Sequence, residues 1–196
     1  MKNNNKQWQA FEEFLNPDIV RPRLIMASIY NFAYSMLKES IIGRLHSFIC
    51  TGFRDNEDSL YRTEVLSLNK KQSPLYASLE WLKNMKAIEQ SDIDIFDKIK
   101  KCRNDLAHEF NNIIIDKGFP DDYDVNFANL LYLFRKIETW WIMDVELLIN
   151  PDYDGQDRED INKDDITTGP MVCLGILIDV ALTENKAYYE HIKKGS

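Results

Sequence analysis

Several things are scarce in this chain, and each scarcity excludes something. Seven glycines and six prolines in 196 residues are too few for the many tight turns of a barrel or a sandwich. The three cysteines, Cys50, Cys102 and Cys173, stand far apart with no CxxC spacing. That pattern excludes a cysteine zinc site or a disulfide framework and suits buried thiols in a reducing cytoplasm. No basic leader runs into an apolar segment, so no signal peptide is expected. The longest apolar stretch, Met171 to Leu182, is shorter than the roughly 20 residues that span a bilayer, so no membrane partner is expected. Excess positive charge is missing too. The formal net charge is −8, which argues against extended binding of duplex DNA through many phosphates. A short RNA strand in one cleft needs only local positive charge.

What is present is helical patterning. Hydrophobic residues make up 44% of the chain, enough for a well-filled core at this length. Trp8, Phe11, Phe14 and Leu15 stand at helical spacing until Asn16-Pro17-Asp18 interrupts them. Pro22 suits the first turn of a long helix with Ile25, Ile29, Phe32, Met36, Ile41, Leu45 and Phe48 along one stripe. A charged stretch with little periodicity follows, expected to cover Leu60, Val65 and Leu68. Ser73-Pro74 opens a helix through Leu79, Leu82 and Met85, and Ser91-Asp92 opens the next. Gly118-Phe119-Pro120 breaks the chain before a periodic helix through Leu130, Phe134, Ile137, Trp141, Val145 and Leu148. No repeat and no strand pattern is found.

The expected fold is therefore all-α, a bundle of five to six helices. Residues 1–150 are expected to form the bundle and 151–168 an acidic linker. Residues 169–196 then supply a C-terminal helix packed on the bundle or on a dimer interface. The start of that helix (Val172, Leu174, Ile176, Leu177, Ile178, Val180) is apolar nearly all round, which implies burial on several sides.

One constellation could carry chemistry: Arg103-Asn104-Asp105-Leu106-Ala107-His108, in a chain with three histidines. At about 100° per residue, Ile99, Cys102, Leu106, Phe110 and Ile113 share the buried side of this helix. Asn104 and His108 are neighbours one turn apart and face away from that side, while Arg103 sits at its flank. Arginine offers a planar fork of donors to a phosphate. A histidine, with an ordinary pKa of about 6.5, exchanges a proton at neutral pH. Lys98, Lys100 and Lys101 make the stretch locally basic and are the candidate RNA-binding side chains. The chemistry this set fits is RNA cleavage by the 2′-hydroxyl, with His108 as base, Arg103 stabilising charge on phosphorus and Asn104 orienting one or the other. No metal and no cofactor is called for. One histidine cannot easily act as base and acid at once, so a symmetric homodimer is the expected active species.

Arginine, a polar residue, then histidine after four intervening positions, on a late helix of a small bundle, resembles the HEPN superfamily. The resemblance implies a metal-independent ribonuclease whose two motifs meet at a dimer cleft, acting in toxin–antitoxin or abortive-infection defence in the cytoplasm. It would cover about residues 20–150. The segment from Leu82-Lys83 through Ile88 to His108-Glu109 also looks like the mannitol-repressor (MltR-like) branch, which implies a noncatalytic regulatory or protein-interaction module. The partners implied are a second copy, RNA, and an antitoxin or regulatory protein. HEPN toxins silenced by a nucleotidyltransferase often carry tyrosine two residues after the histidine. Phe110 stands there in this chain and cannot be modified in that way.

Plainer readings stand beside these. Arg103, Asn104 and His108 also fit an ordinary solvated helix face with ion pairs such as Asp97–Lys101 and Lys101–Asp105. His46 reads as structural and His191 as solvent-exposed. Asn150-Pro151-Asp152-Tyr153-Asp154-Gly155 begins like a calcium loop, but Ile161 occupies the place of the bidentate glutamate. Trp140-Trp141 and Tyr188-Tyr189 could stack on bases, although helical spacing makes one of each pair core and the other surface.

Overall fold

Asn16 and Pro17 start the main helix. In the computed structural model, which describes Trp8 and residues 11–50, 57–149 and 161–182, the Asn16 side chain accepts the Asp18 N–H at 2.9 Å. Pro17 takes the first helical position, where a missing N–H costs nothing. Helix α1 (Pro17–Lys38) therefore opens ahead of Pro22, which lies inside it. It continues through a π-helical turn (Glu39–Gly43) into α2 (Arg44–Ile49). The Trp141 indole N–H donates to the Ser40 carbonyl in that widened turn, at 3.0 Å.

Helix α3 (Glu57–Glu64) and a 3-10 turn (Leu66–Leu68) lead to α4 (Pro74–Asn84). A Schellman turn ends α4: Ala87 N–H donates to the Leu82 carbonyl at 2.9 Å and Lys86 N–H to Lys83 at 3.0 Å. Lys86 takes the left-handed position at φ +62°, where glycine is usual and a side chain costs about 1 kcal/mol. Helix α5 (Gln90–His108) begins with a capping box between Glu89 and Asp92. The same Asp92 oxygen that accepts the Glu89 N–H accepts Lys136 Nζ, both at 2.7 Å.

Glu109, at φ −102° and ψ 16°, ends α5, and α6 (Phe110–Asn112) and a π turn (Ile113–Lys117) follow. Gly118 at φ +68° turns the chain into α7 (Tyr123–Trp141), which runs through a π turn (Ile142–Glu146) to α8 (Leu147–Ile149). Past residues 150–160 come a 3-10 turn (Lys163–Asp165) and α9 (Gly169–Leu182).

The protein is an all-α bundle, with no strand among the described residues. Helices α1, α5 and α7 form its centre. Tyr123 donates to the Met26 carbonyl at 2.9 Å near one end, and Trp141 to Ser40 at the other, so α1 and α7 run parallel. Helix α5 runs against both: Asp92 at its start meets Lys136 late in α7, and Tyr30 donates to the Ile99 carbonyl at 3.1 Å. Leu37, Ile41, Leu82, Phe96, Ile99, Leu106, Leu130 and Leu133 are fully buried in the core. Each such side chain contributes about 1.5–3 kcal/mol of transfer free energy. No described helix is long and apolar enough to cross a membrane.

Glu138, 1% exposed, ties the C-terminal segment to this centre. Its carboxylate accepts Ser40 Oγ at 2.6 Å, Thr168 Oγ1 at 2.7 Å and Arg44 Nη1 at 3.0 Å. Arg44 also pairs with Glu146. A buried charge is tolerable only when its lone pairs are filled in this way.

Several sequence expectations shift. The buried stripe of α1 runs through Ala27, Tyr30, Ala33, Tyr34 and Leu37, leaving Phe32 exposed; Phe48 in α2 is exposed as well. Two alanines allow the close approach of neighbouring helices that larger side chains would block. Phe110 is not on the core stripe but 37% exposed, because the break at Glu109 ends the 3.6-residue register before it. Leu60, Leu68 and Leu148 are exposed, while Val65 is buried. Cys173 is exposed rather than buried. Helix α9 is covered on one side only: Leu174 is buried, whereas Val172, Ile176 and Val180 face outward. Trp141 is core and Trp140 half-buried. Tyr188-Tyr189, His191, all of the calcium-like loop but Ile161, and the helix beyond Leu182 lie outside the described residues.

Candidate active site

On α5 the helical repeat places Asp97, Lys101, Asn104 and His108 within a stripe roughly 60° wide. The stripe points away from the side that buries Ile99, Cys102 and Leu106. His108 and Lys101 are exposed and Asn104 is half-buried. The expectation that the motif does not fill the core is met. Neither Asp97–Lys101 nor Lys101–Asp105 forms an ion pair. Asp97 instead accepts the Tyr76 hydroxyl at 2.6 Å.

Arg103 lies on the flank toward α1. Its Nη1 donates to Asn104 Oδ1 at 3.4 Å, and its guanidinium carbon stands 5.8 Å from the centroid of the Tyr34 ring. Its Nε is sealed from solvent without a hydrogen-bond partner. A buried N–H left this way costs free energy, and the ring face of Tyr34 supplies attraction that a missing acceptor does not. The guanidinium thus has one edge turned into the bundle and the other joined to Asn104.

The three lysines do not form one patch. Lys98 and Lys100 project to opposite flanks of α5, roughly 160° apart, and only Lys101 shares the face of Asn104 and His108. Lys100 leans on α4: its Nζ donates to the Tyr76 hydroxyl at 3.2 Å and sits 4.7 Å from that ring's centroid. Burial pushes the Tyr34 hydroxyl up, and Lys100 and Arg103 pull it part of the way back. Tyr76 is pushed up to about 12, first by burial and then by its hydrogen bond to Asp97. Both phenols stay protonated at neutral pH beside two cations.

Sequence reasoning missed Tyr34 and Tyr76. They come from α1 and α4, and no local pattern marks them. Asp97 was within reach of sequence reasoning, since it continues the spacing of Lys101, Asn104 and His108. The other described histidine does not join the site. His46 is exposed, its ring 4.8 Å from that of Tyr61. No group of three His, Cys, Asp or Glu among the described residues is placed to hold a metal ion.

The arrangement offers a donor fork, an amide and an imidazole on one exposed helix face, which can hold a phosphodiester and move a proton. Compared with protein-family models, with curated proteins and with solved structures, the chain matches none.

Proposed function

We propose that this protein is a HEPN-like, metal-independent endoribonuclease, active as a symmetric dimer and serving defence or stress in the cytoplasm. The observation that carries the reading is the joined set on α5: Arg103 hydrogen-bonded to Asn104, with His108 exposed one turn further along the same face. In the reaction, the 2′-hydroxyl oxygen attacks phosphorus while His108 takes its proton. The 5′-oxygen leaves with a proton from the second copy's His108, and the products are a 2′,3′-cyclic phosphate and a free 5′-hydroxyl. Arg103 neutralises charge on the non-bridging oxygens, and Asn104 holds the guanidinium in place. Lys101, on the same face, attracts the strand.

Incubation with total tRNA and a mixed RNA pool in EDTA tests this reading. Cleavage to cyclic-phosphate ends, lost in His108→Ala with helicity and dimerisation intact, is the expected result. Absence of cleavage at high protein concentration would overturn it, and cleavage by a strictly monomeric protein would overturn the shared cleft.

A second reading, a noncatalytic regulatory or interaction module of the MltR-like kind, is favoured by the packing of Arg103 on Tyr34. In that case Arg103→Ala or His108→Ala weakens assembly, and the parent turns over no RNA.

A further inference from the structure

Away from the motif face, the C-terminal half of α7 lines a cavity of about 630 Å³. Tyr132, Thr139 and Trp140 of α7, with Met143 of the π turn that follows it, form its floor. One rim is the Met85–Ala87 turn between α4 and α5, and the other is the 3-10 turn that carries Lys163. Arg135 anchors the second rim by donating to the Asp164 carbonyl at 2.7 Å.

The charges in this cavity divide into committed and uncommitted. Lys136 is held by Asp92 at 2.7 Å, and Arg135 by Asp164. The ammonium groups of Lys86 and Lys163, on opposite rims, make no hydrogen bond or ion pair to the described residues, and Asp144 and Asp164 are the carboxylic residues that line the cavity with them. In a chain of net charge −8, this is a local excess of donors. Trp140 is fixed edge-to-face against Trp81 and Trp141, with ring centroids 6.1 Å and 5.0 Å away. Met85 and Met143 line the cavity with it. Tyr132, about two turns earlier on α7, is 53% exposed.

Lys86 adds an independent sign. It occupies the left-handed position of a Schellman turn, where glycine would relieve strain. A lysine there sacrifices stability and places an ammonium on the cavity rim.

We infer that this cavity binds a phosphorylated nucleobase unit, with the base against Trp140 and the phosphate between Lys86 and Lys163. The volume lies within the range of small-ligand sites, and an aromatic floor with separated cations matches a planar base joined to an anion. The unit can be a free nucleotide or the phosphorylated end of an RNA, which share this chemistry. The inference does not rest on the nuclease reading.

Calorimetric titration of the full chain with 5′-AMP tests it, with adenosine, inorganic phosphate and a 5′-phosphorylated RNA tetranucleotide as comparators. Saturable AMP binding, with adenosine and phosphate each at least about ten-fold weaker, is expected. Tighter binding of AMP than of the tetranucleotide assigns the cavity to a free nucleotide, and the reverse assigns it to an RNA end. Lys86→Gly combined with Lys163→Ala should weaken binding by about ten-fold or more. Lys86→Gly alone should weaken binding while leaving the urea midpoint unchanged or raised, which a merely structural role for Lys86 would not do. His108→Ala should bind as the parent does, so failure of the nuclease reading leaves this result untouched. No saturable binding of AMP or tetranucleotide up to about 5 mM, or binding that survives the lysine pair, would overturn the inference.

Discussion

Arg103→Ala separates a chemical role from a structural one, because the two predict different sizes of effect on different observables. The stability term is small. The contact with the Tyr34 ring at 5.8 Å contributes about 0.5–1 kcal/mol. The 3.4 Å bond to Asn104 is long and adds about half a kcal/mol at most. Removing an Nε that is buried without a partner gives back about 1 kcal/mol. The net loss is about 0.5 kcal/mol or less, a fall in Tm of about 2 °C at most for a chain of this size. The catalytic term is large. Losing a donor aimed at transition-state charge typically lowers a rate by about 10²–10³. Arg103→Lys keeps the charge and loses the fork, and should still cost at least about ten-fold. Thermal unfolding by circular dichroism and single-turnover cleavage of a labelled RNA in EDTA read the two terms separately. A Tm fall beyond about 10 °C, or cleavage within about three-fold of the parent, would refute this reasoning and leave Arg103 a packing residue.

Two further predictions concern the bundle itself. Glu138→Ala strands the Ser40 and Thr168 hydroxyls in a buried site and should cost about 3 kcal/mol. It should also speed proteolysis near Thr168; an unchanged urea midpoint would show that the network contributes nothing. Alkaline pH should destabilise the protein. Burial raises Cys102 above its ordinary 9.0 and Tyr30 and Tyr123 above 10.0. Burial also disfavours the charge of Lys136, but its hydrogen bond and charge pairing with Asp92 outweigh that and hold it above 10.5. For each group the unfolded chain releases its proton first. Their stabilisation is therefore complete below about pH 9 and lost as pH climbs through the raised values. Urea midpoints should fall between about pH 9 and 11; a flat profile would contradict the assignment.

Much of the fold was legible because it rests on local chemistry. Pro74 behind Ser73, the acidic opening of α5, the break at Gly118 and the stripe from Leu130 to Val145 each follow from dihedral limits, caps or a 3.6-residue period. The outward aim of Asn104 and His108 followed from the same period, counted from Ile99, Cys102 and Leu106. Phe110 was misread because the period was carried across Glu109, where a backbone break resets it. The stripe of α1 was misread because large aliphatic side chains draw attention that Ala27 and Ala33 do not, although small residues decide how closely helices can pack.

The sequence by itself determined that this protein is helical, that helices open near Pro74 and Asp92 and the chain breaks at Gly118, and which face of α5 carries the motif, since all of these depend on neighbours along the chain. Tertiary structure alone decided what surrounds that motif and what lies elsewhere. Tyr34 beneath Arg103, Tyr76 between Asp97 and Lys100, Glu138 gathering three donors, and a cationic cavity over Trp140 all join residues from different helices. Such contacts are set by the distances and rotations at which helices pack, quantities that no local spacing encodes.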